Sequence, residues 1–138
     1  MRFAVLHHTR WPGHADHYDL LLQVAKGRSD DDRVLRALAT PGDRFPLAGS
    51  RAGRGSDAGP RPQTLRALPD HRRAYLTYQG PVSGGRGRVR RVDAGRLEWL
   101  GRGRQGRCLR FRLAGRRLRG TFRLSPKKGK TCILERLP

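Results

Sequence analysis

The chain has 138 residues, which suits one domain spanning 1–138 and leaves little room for a second. It carries 31 Lys and Arg against 11 Asp and Glu, a net charge of +20 that favours a polyanionic partner such as nucleic acid. With no apolar run of about 18 residues, no membrane partner is expected, and two cysteines are too few for a disulfide scaffold or a Cys-rich zinc site. The first residues do not resemble a secretory signal, so we expect a cytoplasmic protein.

The N-terminal part alternates in the manner of β-strands. Residues 2–8 form a first predicted strand, residues 17–25 a second and residues 33–40 a third. In the second strand, Tyr18, Leu20 and Leu22 share one face, an ordinary core-facing set. The opposite face carries His17 and Asp19.

Residues 41–63 are dense in Gly, Pro, Ser and Arg. This stretch is too poor in apolar residues to be a core element, and the sequence predicts a flexible surface loop. Burial of Phe45 and Leu47 would contradict that prediction.

The C-terminal half returns to short strands and Gly-rich turns. In residues 108–125, apolar side chains alternate with arginines on both sides of an Ala-Gly turn, which predicts a hairpin with a basic outer face that includes Arg110 and Arg112. Residues 131–137 add a last strand, and no helix of substantial length is predicted. Many short strands with Gly-rich turns indicate an all-β sandwich or barrel.

Four of the five histidines lie within the first 17 residues, close to a carboxylate. His17 and Asp19 project from the same face of their strand, because side chains two residues apart do so. Two imidazoles and one carboxylate are a common ligand set for a catalytic divalent metal. His7 or His8 on the neighbouring strand can complete it. The alternative is that each histidine is exposed or hydrogen-bonded singly, and we expect this of His14, which lies in the turn.

A second group of polar residues follows in the chain. His71 and Tyr75 lie four residues apart beside Arg72, and both side chains can donate to a phosphate oxygen. Spacing alone favours a structural alternative, in which Tyr75 and Tyr78 pack on a strand and His71 caps a turn.

Four segments in order, "LHHTRWPGHADHYDLLLQ", "VLRALATP", "LPDHRRAYLTYQGPVSGGRGRVRRVDAGRLEWL" and "LRFRLAGRRLRGTFRL", resemble the 3′-phosphoesterase domain of bacterial DNA ligase D, and short stand-alone members of that family in particular. That family pairs an early His … His-Tyr-Asp motif with a later His-x-x-x-Tyr element, then a Gly-rich turn and a closing hairpin. The resemblance covers nearly the whole chain apart from residues 41–63.

The resemblance implies a closed or nearly closed barrel of about eight strands that processes the 3′ ends of primer strands in end joining. It implies removal of a 3′-terminal ribonucleoside and then a 3′-phosphate, preferably with Mn²⁺, with Zn²⁺ or Co²⁺ as alternatives. Carried over by position, His8, His17 and Asp19 are the metal ligands at the mouth of the barrel, and His71 and Tyr75 contact the scissile phosphate. The implied partners are DNA or RNA–DNA primer 3′ ends and a DNA ligase or polymerase of that pathway.

One departure bears on activity. Leu21 stands where the family has a phosphate-binding arginine, and leucine cannot make a bidentate charge-assisted contact. Arg10 is our first candidate for a substitute and Arg72 our second, while Arg110 and Arg112 are expected to follow the nucleic-acid backbone. Two alternatives stay open: a non-catalytic, basic nucleic-acid-binding module that has lost turnover, and a metal-dependent hydrolase of small phosphate esters.

Overall fold

The computed structural model describes residues 1–47, 61–102 and 108–138. Within these ranges the chain forms nine strands and one short 3₁₀ helix, Arg73–Leu76. The strands are β1 (Arg2–Thr9), β2 (His17–Gln23), β3 (Leu35–Ala39), β4 (Gln63–His71), β5 (Gly80–Pro81), β6 (Arg88–Arg102), β7 (Leu109–Ala114), β8 (Arg119–Pro126) and β9 (Thr131–Leu137). The search of these ranges for a helix with the length and hydropathy of a membrane span found none.

The sheet closes on itself. Its strand order is β1-β2-β3-β4-β9-β8-β7-β6-β5, and β1 also pairs with β6, from Arg2 opposite Arg96 to Thr9 opposite Arg88. All pairings are antiparallel. Because β1 pairs with β6, eight strands form a closed barrel, and the two-residue β5 is an extra strand on β6. The prediction of an all-β barrel of about eight strands is confirmed.

The barrel interior is filled by one apolar cluster, to which all eight strands contribute residues. Because successive side chains of a strand point to opposite faces, each strand contributes alternate residues, among them Phe3, Leu22, Phe111 and Phe122. Each of these four side chains is at most 1% exposed. The predicted 108–125 hairpin is confirmed, with Leu109, Phe111 and Leu113 opposite Leu124, Phe122 and Gly120.

Part of the predicted 41–63 loop belongs to this interior. Phe45 and Leu47 are each only 6% exposed and pack in the interior cluster, and the Arg117 guanidinium lies 3.7 Å from the centre of the Phe45 ring. The loop prediction was wrong for this part, because isolated apolar residues in a Gly- and Pro-rich segment can still enter a barrel end. Residues 48–60 lie outside the described ranges.

A second apolar cluster covers the outer face of β1, β2 and β3, opposite the interior. Its strand members include Ala4, Leu6 and Leu21, and Leu76 and Val82 cover them from outside. These strands are therefore buried on both faces, which explains their near-continuous apolar sequences.

The 3₁₀ helix is anchored to the β2–β3 connection. Arg73 donates to the Asp30 carboxylate over 3.3 Å and to the carbonyls of Lys26 and Gly27 over 3.1 and 3.3 Å. The backbone N–H of Ala74 also donates to the carbonyl of Asp30 over 3.0 Å. This anchoring fixes the helix against the barrel wall.

The turn between β7 and β8 is organised by one buried carboxylate. Asp93 is 6% exposed and accepts the backbone N–H groups of Ala94, Arg116, Arg117 and Leu118 at 2.8–3.2 Å. Backbone donors that would otherwise be unpaired inside the protein are thereby satisfied.

Candidate metal and phosphate site

The β1–β2 hairpin brings the three predicted ligands together. His8 lies directly opposite His17 in the antiparallel register, and Asp19 follows two residues later on the same face. Nδ1 of His8 is 3.5 Å from Oδ2 of Asp19, and Nε2 of His17 is 3.1 Å from Oδ1 of the same carboxylate. One ligating atom from each residue falls within 4.8 Å of the other two.

Backbone carbonyls orient both imidazoles. Nε2–H of His8 donates to the carbonyl of Arg86 over 2.6 Å, and Nδ1–H of His17 donates to the carbonyl of Ala15 over 3.0 Å. In each neutral ring the remaining nitrogen then presents its lone pair toward Asp19. Such outer contacts are typical of metal-bound histidines, because they fix the tautomer and the ring plane.

Asp19 is almost completely buried, and its Oδ1 has no partner of good hydrogen-bond geometry within the described part of the chain. The Asp19 carboxylate, 3.1 Å from Nε2 of His17, stabilises a proton on that nitrogen and so raises the pKa of His17. Burial by itself would raise the pKa of Asp19, but the hydrogen bonds and charge that His17 and His8 supply when protonated hold that pKa below its ordinary value. A proton on His17 or a cation between the three side chains satisfies Oδ1.

The donor set fits a first-row divalent ion. Two imidazole nitrogens and one carboxylate oxygen converge and leave further coordination positions free, a combination that suits Mn²⁺, Zn²⁺ or Co²⁺. His7 does not belong to this group. Its ring stacks on Tyr18 at 4.3 Å on the other face of β1, and its Nε2 contacts the Asp43 carboxylate at 2.6 Å.

Close backbone packing at Gly87 holds the Arg86 carbonyl in place. Gly87 has φ +79°, and a Cβ built there would lie 2.1 Å from the carbonyl oxygen of Thr9 and 2.7 Å from the backbone nitrogen of Trp11. Glycine is therefore required on two grounds, the left-handed backbone and the close approach. The contact joins the loop before β6 to the segment that follows His8.

The three proposed metal ligands, His8, His17 and Asp19, line a cavity of about 1030 Å³. The cavity lies on the outer face of the barrel wall, since His8 and Asp19 alternate with interior residues such as Val5 and Leu20. The sequence led us to expect the ligands at the mouth of the barrel, whereas the structure has them on the outer face of the wall, opposite the core-facing residues Leu20 and Leu22 of β2.

His71 and Tyr75 line the same cavity. His71 ends β4 and its Nδ1–H donates to the carbonyl of Pro69 over 2.9 Å, which leaves Nε2 available. Tyr75 lies on the 3₁₀ helix, and its ring meets the His71 ring edge-on at 5.4 Å. Tyr75 also packs against the outer apolar cluster and meets the Tyr78 ring edge-on at 5.6 Å, so it has the packing role of the structural alternative, although it lies on the 3₁₀ helix and not on a strand.

Of the two arginines predicted to substitute for the family arginine at the position of Leu21, one lines the cavity and the other does not. Arg72 lines the cavity, with its guanidinium 5.7 Å from the centre of the Tyr75 ring and 3.6 Å from the Asp31 carboxylate. Arg10 has φ 59° and lines a separate groove with Arg88 and Arg90. Arg10 was therefore the wrong first candidate.

Sequence reasoning missed Arg66, which lines the cavity from β4. The register places it opposite Ala39, which is itself opposite Asp19. Asp19 raises the pKa of the nearby His17, and the charge of Arg66 opposes this rise in part. The Arg66 side chain is exposed and forms no hydrogen bond or ion pair with other described residues, so it can bind an anion. Only the strand pairing, which the sequence does not reveal, could have identified it.

Arg110 and Arg112 lie on β7, exposed and away from the cavity lining. Arg112 contacts the Glu98 carboxylate at 3.3 Å. Their predicted role along a nucleic-acid backbone stays a prediction.

No protein-family model matches the chain, and the search of curated proteins found no match to it.

Proposed function

We propose that the protein is a metal-dependent 3′-end-processing phosphoesterase that acts on DNA or RNA 3′ termini in DNA repair. The observation that carries the proposal is the outer-wall cavity, in which His8, His17 and Asp19 share one space with His71 and Tyr75. A cation site, an imidazole and a phenol thus line one cavity, and each of these groups can assist phosphoester hydrolysis.

His8, His17 and Asp19 would hold the ion, with Mn²⁺ proposed and Zn²⁺ or Co²⁺ as alternatives. When bound, a divalent ion supplies Lewis-acid stabilisation of a phosphate oxygen and a water of lowered pKa. The Nδ1–H of His71 is held by the Pro69 carbonyl, so His71 with a second proton on Nε2 can give that proton to the leaving oxygen, and Tyr75 can donate its hydroxyl to the phosphate.

Positive charge on the cavity wall supports an anionic substrate. Arg66 and Arg72 come from the β4 side, and Arg86 comes from the loop before β6. Cationic donors stabilise charge that develops on phosphate oxygens as the ester bond breaks. The net charge of +20 extends this preference to a polyanion, with DNA or RNA–DNA primer ends as the proposed partners and a ligase or polymerase of end joining as a proposed associate.

One observation favours a second candidate, a basic nucleic-acid-binding module without turnover. Leu21 is fully buried in the outer apolar cluster, so this position offers the phosphate no donor. A binding module needs the charge but not the ligand set.

The test incubates the protein and Mn²⁺ with a duplex bearing a recessed 3′-phosphate or a 3′-terminal ribonucleotide. We expect release of phosphate or nucleoside, loss of activity in Asp19→Asn, and a decrease of about 10²–10⁴-fold in His71→Ala. Asp43→Asn is the matched control, because Asp43 is also paired with an imidazole but lies on the other face of β1. Salt-sensitive duplex binding without release would reject the phosphoesterase in favour of the binding module.

A further inference from the structure

Three aromatic rings form a stack that leads away from the metal ligands. The Trp11 ring lies 5.2 Å from the His8 ring with 17° between the planes, and the His14 ring lies 3.7 Å from Trp11 with 18° between the planes. Trp11 is partly buried and His14 is exposed. All three residues line the cavity.

The turn between β1 and β2 builds this stack. The backbone N–H of His14 donates to the carbonyl of Trp11 over 3.0 Å, with Pro12 and Gly13 between them. Proline at the second position and a glycine with φ +79° at the third are typical of a type II turn. Such a turn places its first and fourth residues side by side. The Asp16 carboxylate accepts the N–H of Arg10 over 3.1 Å and ties the loop down at its base.

The composition of the stack points to a planar ligand. Trp11 and His14 belong to a surface loop and not to either apolar cluster, so barrel packing does not explain them. Proteins that hold single-stranded nucleic-acid ends stack bases on such rings, and stacking tolerates any base. Trp11 lies between His8 and His14, so a base that continues the stack would lie on the His14 ring, which lines the same cavity as the proposed metal ligands.

We propose that Trp11 and His14 form a nucleobase subsite that stacks the 3′-terminal base of the bound strand. This proposal rests on the proposed function for the position of the phosphate, but it concerns binding and not hydrolysis. It assigns a role to His14, for which the sequence predicted only a place in the turn.

The experiment measures binding of two labelled hairpin oligonucleotides in EDTA by fluorescence anisotropy. Both carry a recessed 3′-phosphate, and one lacks the terminal base. We expect the native protein to bind the intact end about tenfold more tightly than the abasic end. The preference should vanish in His14→Ala, which removes the outer ring of the stack, and weaken in Trp11→Leu, which removes the ring behind it but retains an apolar group against His8. Trp99→Phe is the control, since Trp99 packs against Phe111 in the barrel.

Equal affinity of the native protein for the two ends would overturn the subsite, as would a preference that survives in the double variant Trp11→Leu/His14→Ala. A free nucleoside 3′-monophosphate that competes as well as the intact oligonucleotide would overturn the assignment to a strand end. Phosphate release is measured separately with Mn²⁺. Absence of release with the base preference intact rejects the phosphoesterase alone, whereas release without the preference rejects the subsite alone.

Discussion

Replacement of Gly87 by alanine tests whether the orientation of His8 controls metal binding. A Cβ at this position would lie 2.1 Å from the carbonyl oxygen of Thr9, so the two backbones must separate by about 1.3 Å to reach an ordinary contact of 3.4 Å. The hydrogen bond from His8 to the Arg86 carbonyl is 2.6 Å long, and a separation of that size takes it to about 3.9 Å, beyond hydrogen-bond distance. Loss of an outer contact of this kind typically weakens metal binding by about 10–100-fold.

Gly85→Ala is the matched control. Gly85 has a similar φ of +68°, but a Cβ at this position would meet no atom within 4 Å, so the variant carries the same left-handed strain of about 1–2 kcal/mol without the clash. Titration calorimetry with Mn²⁺ gives the dissociation constants, and thermal unfolding shows that both variants are folded. Equal Mn²⁺ affinities in the two folded variants would refute the idea that the Arg86 carbonyl matters to the site.

Three further predictions follow from buried groups. Asp93→Asn should lower the free energy of unfolding by about 2–5 kcal/mol, because the new amide NH₂ faces backbone N–H groups that lose their acceptor. Urea denaturation measures this free energy. A change below about 1 kcal/mol would contradict the role of the Asp93 carboxylate in holding the β7–β8 turn. The raised pKa of His17 and the lowered pKa of Asp19 make their contribution to metal-free stability greatest between about pH 4 and 6.5. The His17 part is lost as pH rises through its folded pKa, and the Asp19 part is lost as pH falls through its own, which lies below the ordinary value of 3.8. Mn²⁺ affinity should rise with pH because the metal competes with the His17 proton. Melting curves from about pH 2.5 to 8, with and without Mn²⁺, test the two stability effects and the rise in affinity. Leu21→Arg should lower the melting temperature without increasing phosphate release, because the substitution buries a guanidinium in the outer apolar cluster. Faster phosphate release at an unchanged melting temperature would contradict this prediction.

Much of the barrel could be predicted from periodicity. β1 and β2 begin at Arg2 and His17, where the alternation begins, and the β7–β8 hairpin forms as predicted, with Phe111 and Phe122 on its inner face. The interior position of Phe45 could not be predicted, because a single apolar residue has no period. The 3₁₀ helix was also hidden, since its four residues are held by contacts of Arg73 with a distant connection.

The candidate site also has residues that could be predicted from the sequence and residues that could not. His8, His17 and Asp19 belong to one hairpin, so strand alternation and adjacency were enough to predict their proximity. Arg66 depends on pairings across three strands. Arg10 lines a different groove from its neighbour Trp11, and strand alternation does not predict side-chain directions within a connecting loop. The sequence records neither a strand register nor the direction of a loop.

Closure of the barrel also sets an order for folding. The three ligands come from one hairpin, which forms through local contacts, but the carbonyl that orients His8 lies 78 residues further along the chain. It reaches His8 only when β1 pairs with β6, a long-range step with a large loop-closure entropy. A partly folded chain therefore has the ligands but not their orientation. An ion that binds the oriented site more tightly than the incomplete one would stabilise the closed barrel over its partly folded precursors by mass action. Metal binding would in this way favour the pairing of β1 with β6.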